Sequence, residues 1–164
     1  MPSTSTLHFF CGKAGAGKTT IAARLARELD AILLSEDIWL MRLFGDQMQT
    51  FDDYIRFSKK LKSVIGPLAV DLLRAGNSVV LDFQANTKLG RSWFRSLFEQ
   101  AGADHLLHEL RTSDETCLAR IAQRNIKRPD GSHQLSEEDF HHVSSLFQAP
   151  EAAEGFNIRI HHAS

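Results

Sequence analysis

Apolar positions along the chain fall into short runs and longer stripes that alternate. Leu7-His8-Phe9-Phe10-Cys11 is a compact apolar run that ends at Gly12, the pattern of a buried strand entering a turn. Ile21, Leu25 and Leu29 follow at i, i+4 and i+8 beside Ala22, Ala23 and Ala26, which predicts a helix over 18–29 packed closely on a sheet. Ala31-Ile32-Leu33-Leu34 predicts a second strand, and Trp39, Leu40 and Leu43 a short helix after it. Thr50 with Asp53 has the spacing of a capping box, and Phe51, Tyr54, Ile55, Leu61, Ile65, Leu68 and Leu72 continue as a helical stripe. Gly66-Pro67 is expected to kink or divide that segment.

After Ala75-Gly76-Asn77, Val79-Val80-Leu81-Asp82-Phe83 reads as the third strand. Leu89, Trp93, Leu97 and Phe98 give a helix over 88–100 ended by Gly102, and His105 to Leu110 a fourth strand. Ser113, Asp114 and Glu115 open a helix through Leu118, Ile121 and Ala122. A polar loop spans Asn125 to Leu135, Ser136 and Asp139 start a helix toward Phe147, and Phe156-Asn157-Ile158-Arg159-Ile160 is the closing strand. Strands that alternate with helices of this length predict one α/β domain over 1–164, a three-layer fold around a parallel sheet.

Composition narrows what such a domain can do. The 164 residues are 43% hydrophobic and 24% charged, as in a globular protein, and 19 Lys+Arg against 20 Asp+Glu give a formal net charge of -1. No global basic field exists to hold nucleic acid or an anionic membrane, so any polyanion site is local. Cys11 and Cys117 lack metal-ligand spacing and suggest no disulfide framework. No leader-like N-terminus and no membrane-length apolar run occurs, so a cytoplasmic protein is expected. His141-His142 and His161-His162 are adjacent pairs whose side chains diverge, a surface pattern rather than a metal site.

The chemistry concentrates in Gly12-Lys13-Ala14-Gly15-Ala16-Gly17-Lys18-Thr19, which matches G-x-x-x-x-G-K-[ST] between a predicted strand and a predicted helix. That context lets backbone amides and a helix N-terminus converge on phosphate oxygens. Lys18 is expected against the β- and γ-phosphates of ATP, Thr19 on Mg²⁺ and Thr20 near the α-phosphate. A dinucleotide fingerprint is the weaker match, because Thr20 stands where its third glycine belongs. Arg124-Asn125-Ile126-Lys127 ends without the aspartate of a guanine-reading segment, and the chain lacks room for the extra helical domain of ATPase motors.

Transfer to a hydroxyl needs a carboxylate to deprotonate it. Asp37, just past the second strand, is the candidate, with Glu36 as rival and helix capping as the plain alternative for Asp37. Asp82 ends a hydrophobic strand, as a carboxylate that holds Mg²⁺-bound water or the acceptor would. Asn86, Thr87 and Arg91 follow where a substrate anion could be read. Trp39, Phe51 and Phe57 are candidates for the acceptor pocket, with core packing favoured for Phe51. Arg120 and Arg124 lie four apart on one helix face, and with Lys127 and Arg128 they form a candidate cationic lid over nucleotide.

Together the phosphate loop, Ser35-Glu36-Asp37, Leu81-Asp82-Phe83 with Asn86, Thr87 and Arg91, and Arg120-x-x-x-Arg124-Asn125 resemble the small P-loop predicted kinases of the AAA_33 type. That group is related to chloramphenicol phosphotransferase, zeta toxins and the kinase domain of bacterial polynucleotide kinase. The resemblance implies a P-loop NTPase fold with five parallel strands ordered 2-3-1-4-5 and a lid segment. It further implies ATP with Mg²⁺, Asp37 as base, Arg120 and Arg124 as lid arginines, and a small molecule or a 5′-hydroxyl nucleic-acid end as acceptor. The alternative is an ATP-binding regulatory switch that hydrolyses slowly. A nucleic-acid acceptor would need a local basic groove, and no aromatic-interleaved basic stretch is evident.

Overall fold

A computed structural model describes residues 4–127 and 135–163. Five parallel strands, β1 (Thr6–Cys11), β2 (Ile32–Ser35), β3 (Val79–Gln84), β4 (Asp104–Thr112) and β5 (Ile158–Ala163), stand in the order β2-β3-β1-β4-β5. The expected order is therefore the observed one. Among the described residues six α-helices connect the strands: α1 (Lys18–Glu28), α2 (Glu36–Phe44), α3 (Phe51–Arg74), α4 (Lys88–Ala101), α5 (Asp114–Lys127) and α6 (Glu137–Ser145), with a 3-10 turn at Ala152–Glu154.

Strand alternation separates two cores. Leu7, Phe9 and Cys11 of β1 face one cluster with Val79, Leu81 and Phe83 of β3, covered by Leu61 and Ile65 of α3 and Phe94 and Leu97 of α4. Phe10 and Val80 face the other, under Ala22, Leu25 and Ala26 of α1, Ile121 of α5 and Phe140 of α6. Alanines at 22 and 26 let α1 lie close to the sheet behind the glycine loop.

The Gly66-Pro67 step does not divide α3, which runs unbroken from Phe51 to Arg74 with Pro67 inside it. A proline in a helix interior costs about 3 kcal/mol. Phe57, Leu61, Ile65, Val70 and Leu73 are all buried along the same helix, and each such side chain contributes about 1.5–3 kcal/mol. Packing therefore outweighs the break. Gly66 is buried where an added Cβ would meet Leu97 at 3.3 Å and Trp93 at 3.5 Å, so the glycine serves the α3–α4 contact. Helix α5 reaches Lys127, which moves Asn125 and Lys127 out of the expected loop and onto the helix. Phe51, expected in the core, is 49% exposed and meets Tyr54 and His142 instead.

Candidate active site

The glycine loop leaves β1 at the C-terminal edge of the sheet, with β3 and β4 on either side. Gly15 and Gly17 take left-handed φ values of 77° and 104°. At Gly15 an added Cβ would sit 2.5 Å from the Cys117 carbonyl oxygen of α5, so only glycine fits this approach. The Thr112 hydroxyl donates to Ala16 O at 2.9 Å and Arg120 Nη1 donates to the same oxygen at 3.0 Å, fixing the outer turn against α5. Gly12 N donates to Asn86 Oδ1 at 3.0 Å, which fixes the inner turn against β3. Lys13 pairs with Asp114 at 2.9 Å.

Helix α1 starts at Lys18 behind Gly17, with no side-chain cap and no acidic residue in its first turn. The other described α-helices each carry a side-chain cap, first-turn carboxylates or both. First-turn amides have no intrahelical partners and sit at the positive end of the dipole, so this terminus suits an anion.

Lys18 Nζ donates to Gly12 O, and to Lys13 O at 3.1 Å, so its ammonium lies within the curl of the loop. Burial pushes it down to about 8, against the pull of the nearby Asp82 and Asp37 carboxylates. Thr19 Oγ1 donates to Asp82 Oδ2 at 3.1 Å, and Ser35 Oγ approaches the same oxygen at 3.5 Å across the Ser35–Asp82 register of β2 and β3. Burial raises the Asp82 carboxyl above the ordinary aspartate range; the Thr19 hydroxyl opposes that, and the neighbouring Asp37 reinforces it. Lys18, Asp37 and Asp82 thus share one electrostatic neighbourhood. A hydroxyl and one carboxylate are a hard-oxygen pair of the kind that could hold Mg²⁺.

Asp37 lies inside the first turn of α2, and Ser35 holds the N-cap position, so Asp37 is not the helix cap. Glu36 is 3% exposed and its two oxygens accept from Tyr54 OH at 2.6 Å and Ser58 Oγ at 2.7 Å, which turns it toward α3 and leaves Asp37 as the base candidate.

The expected substrate readers beyond β3 are engaged elsewhere. Arg91 is 0% exposed; its Nε donates to Glu154 Oε1 at 2.8 Å and its Nη1 to Ala85 O at 2.9 Å, so it clamps structure rather than reading an anion. Thr87 caps α4 by accepting from Gly90 N at 2.9 Å, and Asn86 holds the loop. Phe57 is a core residue stacked on Phe44 at 4.4 Å, and Trp39 packs against the same cluster. Arg120 rests on the loop, and Arg124 Nε is buried without a hydrogen-bond partner among the described residues. Asn125 donates to Leu135 O at 2.7 Å and accepts from Leu135 N at 3.0 Å. Arg128 lies outside the described residues.

The sequence reading placed Tyr54 only in the apolar stripe of its helix and passed over Ser58, so the pair that holds Glu36 was missed. Thr112 gave no signal. The P-loop kinase-like architecture is matched by the sequence pattern of the AAA_33 family, described as an AAA domain, over residues 7–150. The chain belongs to the AAA_33 family.

No functionally curated protein matches this AAA_33 chain. Among solved structures it is similar to a candidate kinase from Chloroflexus aurantiacus, at 20% identity and TM-score 0.78 over 98% of this chain and 86% of that one. The APS kinase of Mycobacterium tuberculosis in complex with AMPPNP and APS gives 19% identity and TM-score 0.62 over 92% and 86%. A gluconokinase from Sinorhizobium meliloti gives 15% and 0.57 over 97% and 83%. At these identities the likeness is one of fold.

Proposed function

We propose that this AAA_33 protein is an ATP-dependent phosphotransferase that moves the γ-phosphoryl group to a hydroxyl. One observation carries it: an uncapped helix N-terminus bearing Lys18 and Thr19 opens beside Asp82, with Asp37 in electrostatic range of both Lys18 and Asp82. A module that only holds nucleotide has no need of a second carboxylate there.

In this mechanism the loop amides and α1 hold the triphosphate tail, and its charge favours the protonated form of Lys18. Arg120, held at the loop, and Arg124, one turn further along α5, are the groups to neutralise charge on the transferring group. Thr19 and Asp82 would hold Mg²⁺, which when bound would supply neutralisation of phosphate charge. Asp37 takes the proton of the acceptor hydroxyl as its oxygen bonds to the γ-phosphorus and the β–γ bridging P–O bond breaks, and ADP leaves. Asn86, Thr87 and Arg91 take no part in acceptor recognition in this scheme. A small-molecule alcohol is the favoured acceptor, a 5′-hydroxyl nucleic-acid end the other, and the cytosol the expected location.

Incubation with γ-labelled ATP, Mg²⁺ and a panel of metabolites and 5′-hydroxyl oligonucleotides tests this. Labelled product is expected for one acceptor class, whereas hydrolysis with no labelled product favours the regulatory switch. Lys18→Ala should weaken nucleotide binding and turnover together, and Asp37→Asn should spare binding but lower turnover at least about 100-fold. Equal transfer by Asp37→Asn and the parent removes the base assignment.

A further inference from the structure

Ser35 is the N-cap residue of α2, yet its side chain makes no capping bond; its hydroxyl is turned to Asp82 instead. The first turn of α2, which carries Asp37, therefore needs another anchor. Glu36 provides one. Its carboxylate is almost fully buried and takes one hydroxyl on each oxygen, Tyr54 at 2.6 Å and Ser58 at 2.7 Å. Those donors stand one turn apart on one face of α3, so the two bonds fix both the position and the rotation of the carboxylate. Their lengths lie near the range of hydroxyls donating to an ionised carboxylate.

We propose that Glu36 is a positioning residue: pinned by Tyr54 and Ser58 to α3, it fixes the first turn of α2 and so aims Asp37 at the nucleophile. Tyr54 is suited to the task, since burial and the charges of Glu36, Asp37 and Asp82 keep its phenol protonated and donating. Burial works the other way on Glu36 by raising its carboxyl above the usual range, and the two hydroxyls oppose that. A buried polar cluster of this kind adds little net stability compared with apolar residues of the same volume. Its value here is orientation, where a misplacement of about 1 Å costs on the order of 100-fold in rate.

The inference rests on Asp37 as the base, and the test separates the two claims. Water serves as acceptor: single-turnover release of labelled phosphate from γ-labelled ATP with Mg²⁺ is measured alongside titration of a fluorescent ADP. Glu36→Ala is expected to lower hydrolysis about 100-fold and leave ADP affinity within twofold. Glu36→Gln, whose amide oxygen still accepts one hydroxyl, is expected to restore most of the rate. Tyr54→Phe, which keeps the ring packed but leaves one Glu36 oxygen unpaired, is expected to lose about tenfold in rate, measured below its melting transition, with ADP affinity within twofold of the parent. Adding Glu36→Ala to Asp37→Asn should cost little more, because both act through one carboxylate.

Hydrolysis within twofold of the parent in Glu36→Ala, with Asp37→Asn inactive, overturns the positioning role alone. Unchanged hydrolysis in both variants overturns the base assignment and the positioning role with it. Should Glu36→Ala fail to fold, Tyr54→Phe decides, and parental hydrolysis in that variant overturns the proposal.

Discussion

Arg91 offers the sharpest test of how the frame around the site is held. Its guanidinium is fully buried and forks onto Glu154, with Nε to Oε1 at 2.8 Å and Nη2 to Oε2 at 3.3 Å, and Nη1 adds the Ala85 carbonyl. Glu154 also accepts from Glu151 N at 2.8 Å. Burial alone would raise the Glu154 carboxyl, but the bonds from Arg91 and Glu151 hold it below the usual range. Removing one member strands its partner, and breaking a buried pair costs about 3–5 kcal/mol. At roughly 2–4 °C per kcal/mol for a chain of this size, Arg91→Met should melt about 6–20 °C below the parent. Glu154→Gln should fall in the same range, and the double variant Arg91→Met/Glu154→Met should lose less than the sum of the single losses. Scanning calorimetry gives the melting temperatures, and ADP titration checks the nucleotide site, which is expected to change less than threefold below the melting transition. A melting temperature within about 2 °C of the parent in Arg91→Met would refute the clamp. A selective rise in acceptor KM would restore the anion-reading role.

Acidification should act on a histidine row. His8 Nδ1 meets His108 Nε2 at 3.0 Å and His108 Nδ1 meets His161 Nε2 at 2.9 Å, across β1, β4 and β5. Burial drives His108 down to about 3, and His8, His161 and Arg159 add to it, so His108 stays neutral in the fold; burial lowers His8 and His161 as well. An unfolded histidine titrates near 6.5, so the stability that neutral His108 contributes is complete above that pH and is lost as pH falls below it. Between pH 7.5 and 5.0, His108 alone accounts for a loss on the order of 2 kcal/mol, and His108→Leu should flatten that part of the melting profile; an unchanged pH dependence would refute this account. Gly15→Ala forces a side chain into the left-handed region and against the Cys117 carbonyl, and should abolish measurable ADP binding while costing about 1–3 kcal/mol of stability; parental binding would show that the loop tolerates reshaping.

What the sequence discloses is what local spacing encodes. Among the described residues, apolar runs and stripes located the five strands and six α-helices but not the 3-10 turn Ala152–Glu154, and the phosphate loop stood out because its chemistry needs contiguous residues. Strand order followed from the family likeness. Partnerships set by the finished sheet were opaque: His8 and His108 are 100 positions apart, and Arg91 and Glu154 are 63 apart. Arg91 therefore looked like a reader of a substrate anion, and His161 like half of an exposed pair. Pro67 misled for a related reason, since its local cost is visible in the sequence while the packing of Leu61, Ile65 and Leu73 around it is not. Ser58 lay silent because serine suits a surface as well as a buried bond to Glu36.

Asn86 makes two attachments at once, its side chain to Gly12 N and its carbonyl to Gln148 N, while Lys88 N reaches Gln148 Oε1. The hinge of the anion-cradling turn and the stretch behind the last helix therefore hang from one peg. Anyone transplanting this turn into another scaffold would have to bring that asparagine, and trimming the chain ahead of Gln148 would slacken the turn from more than 130 positions away.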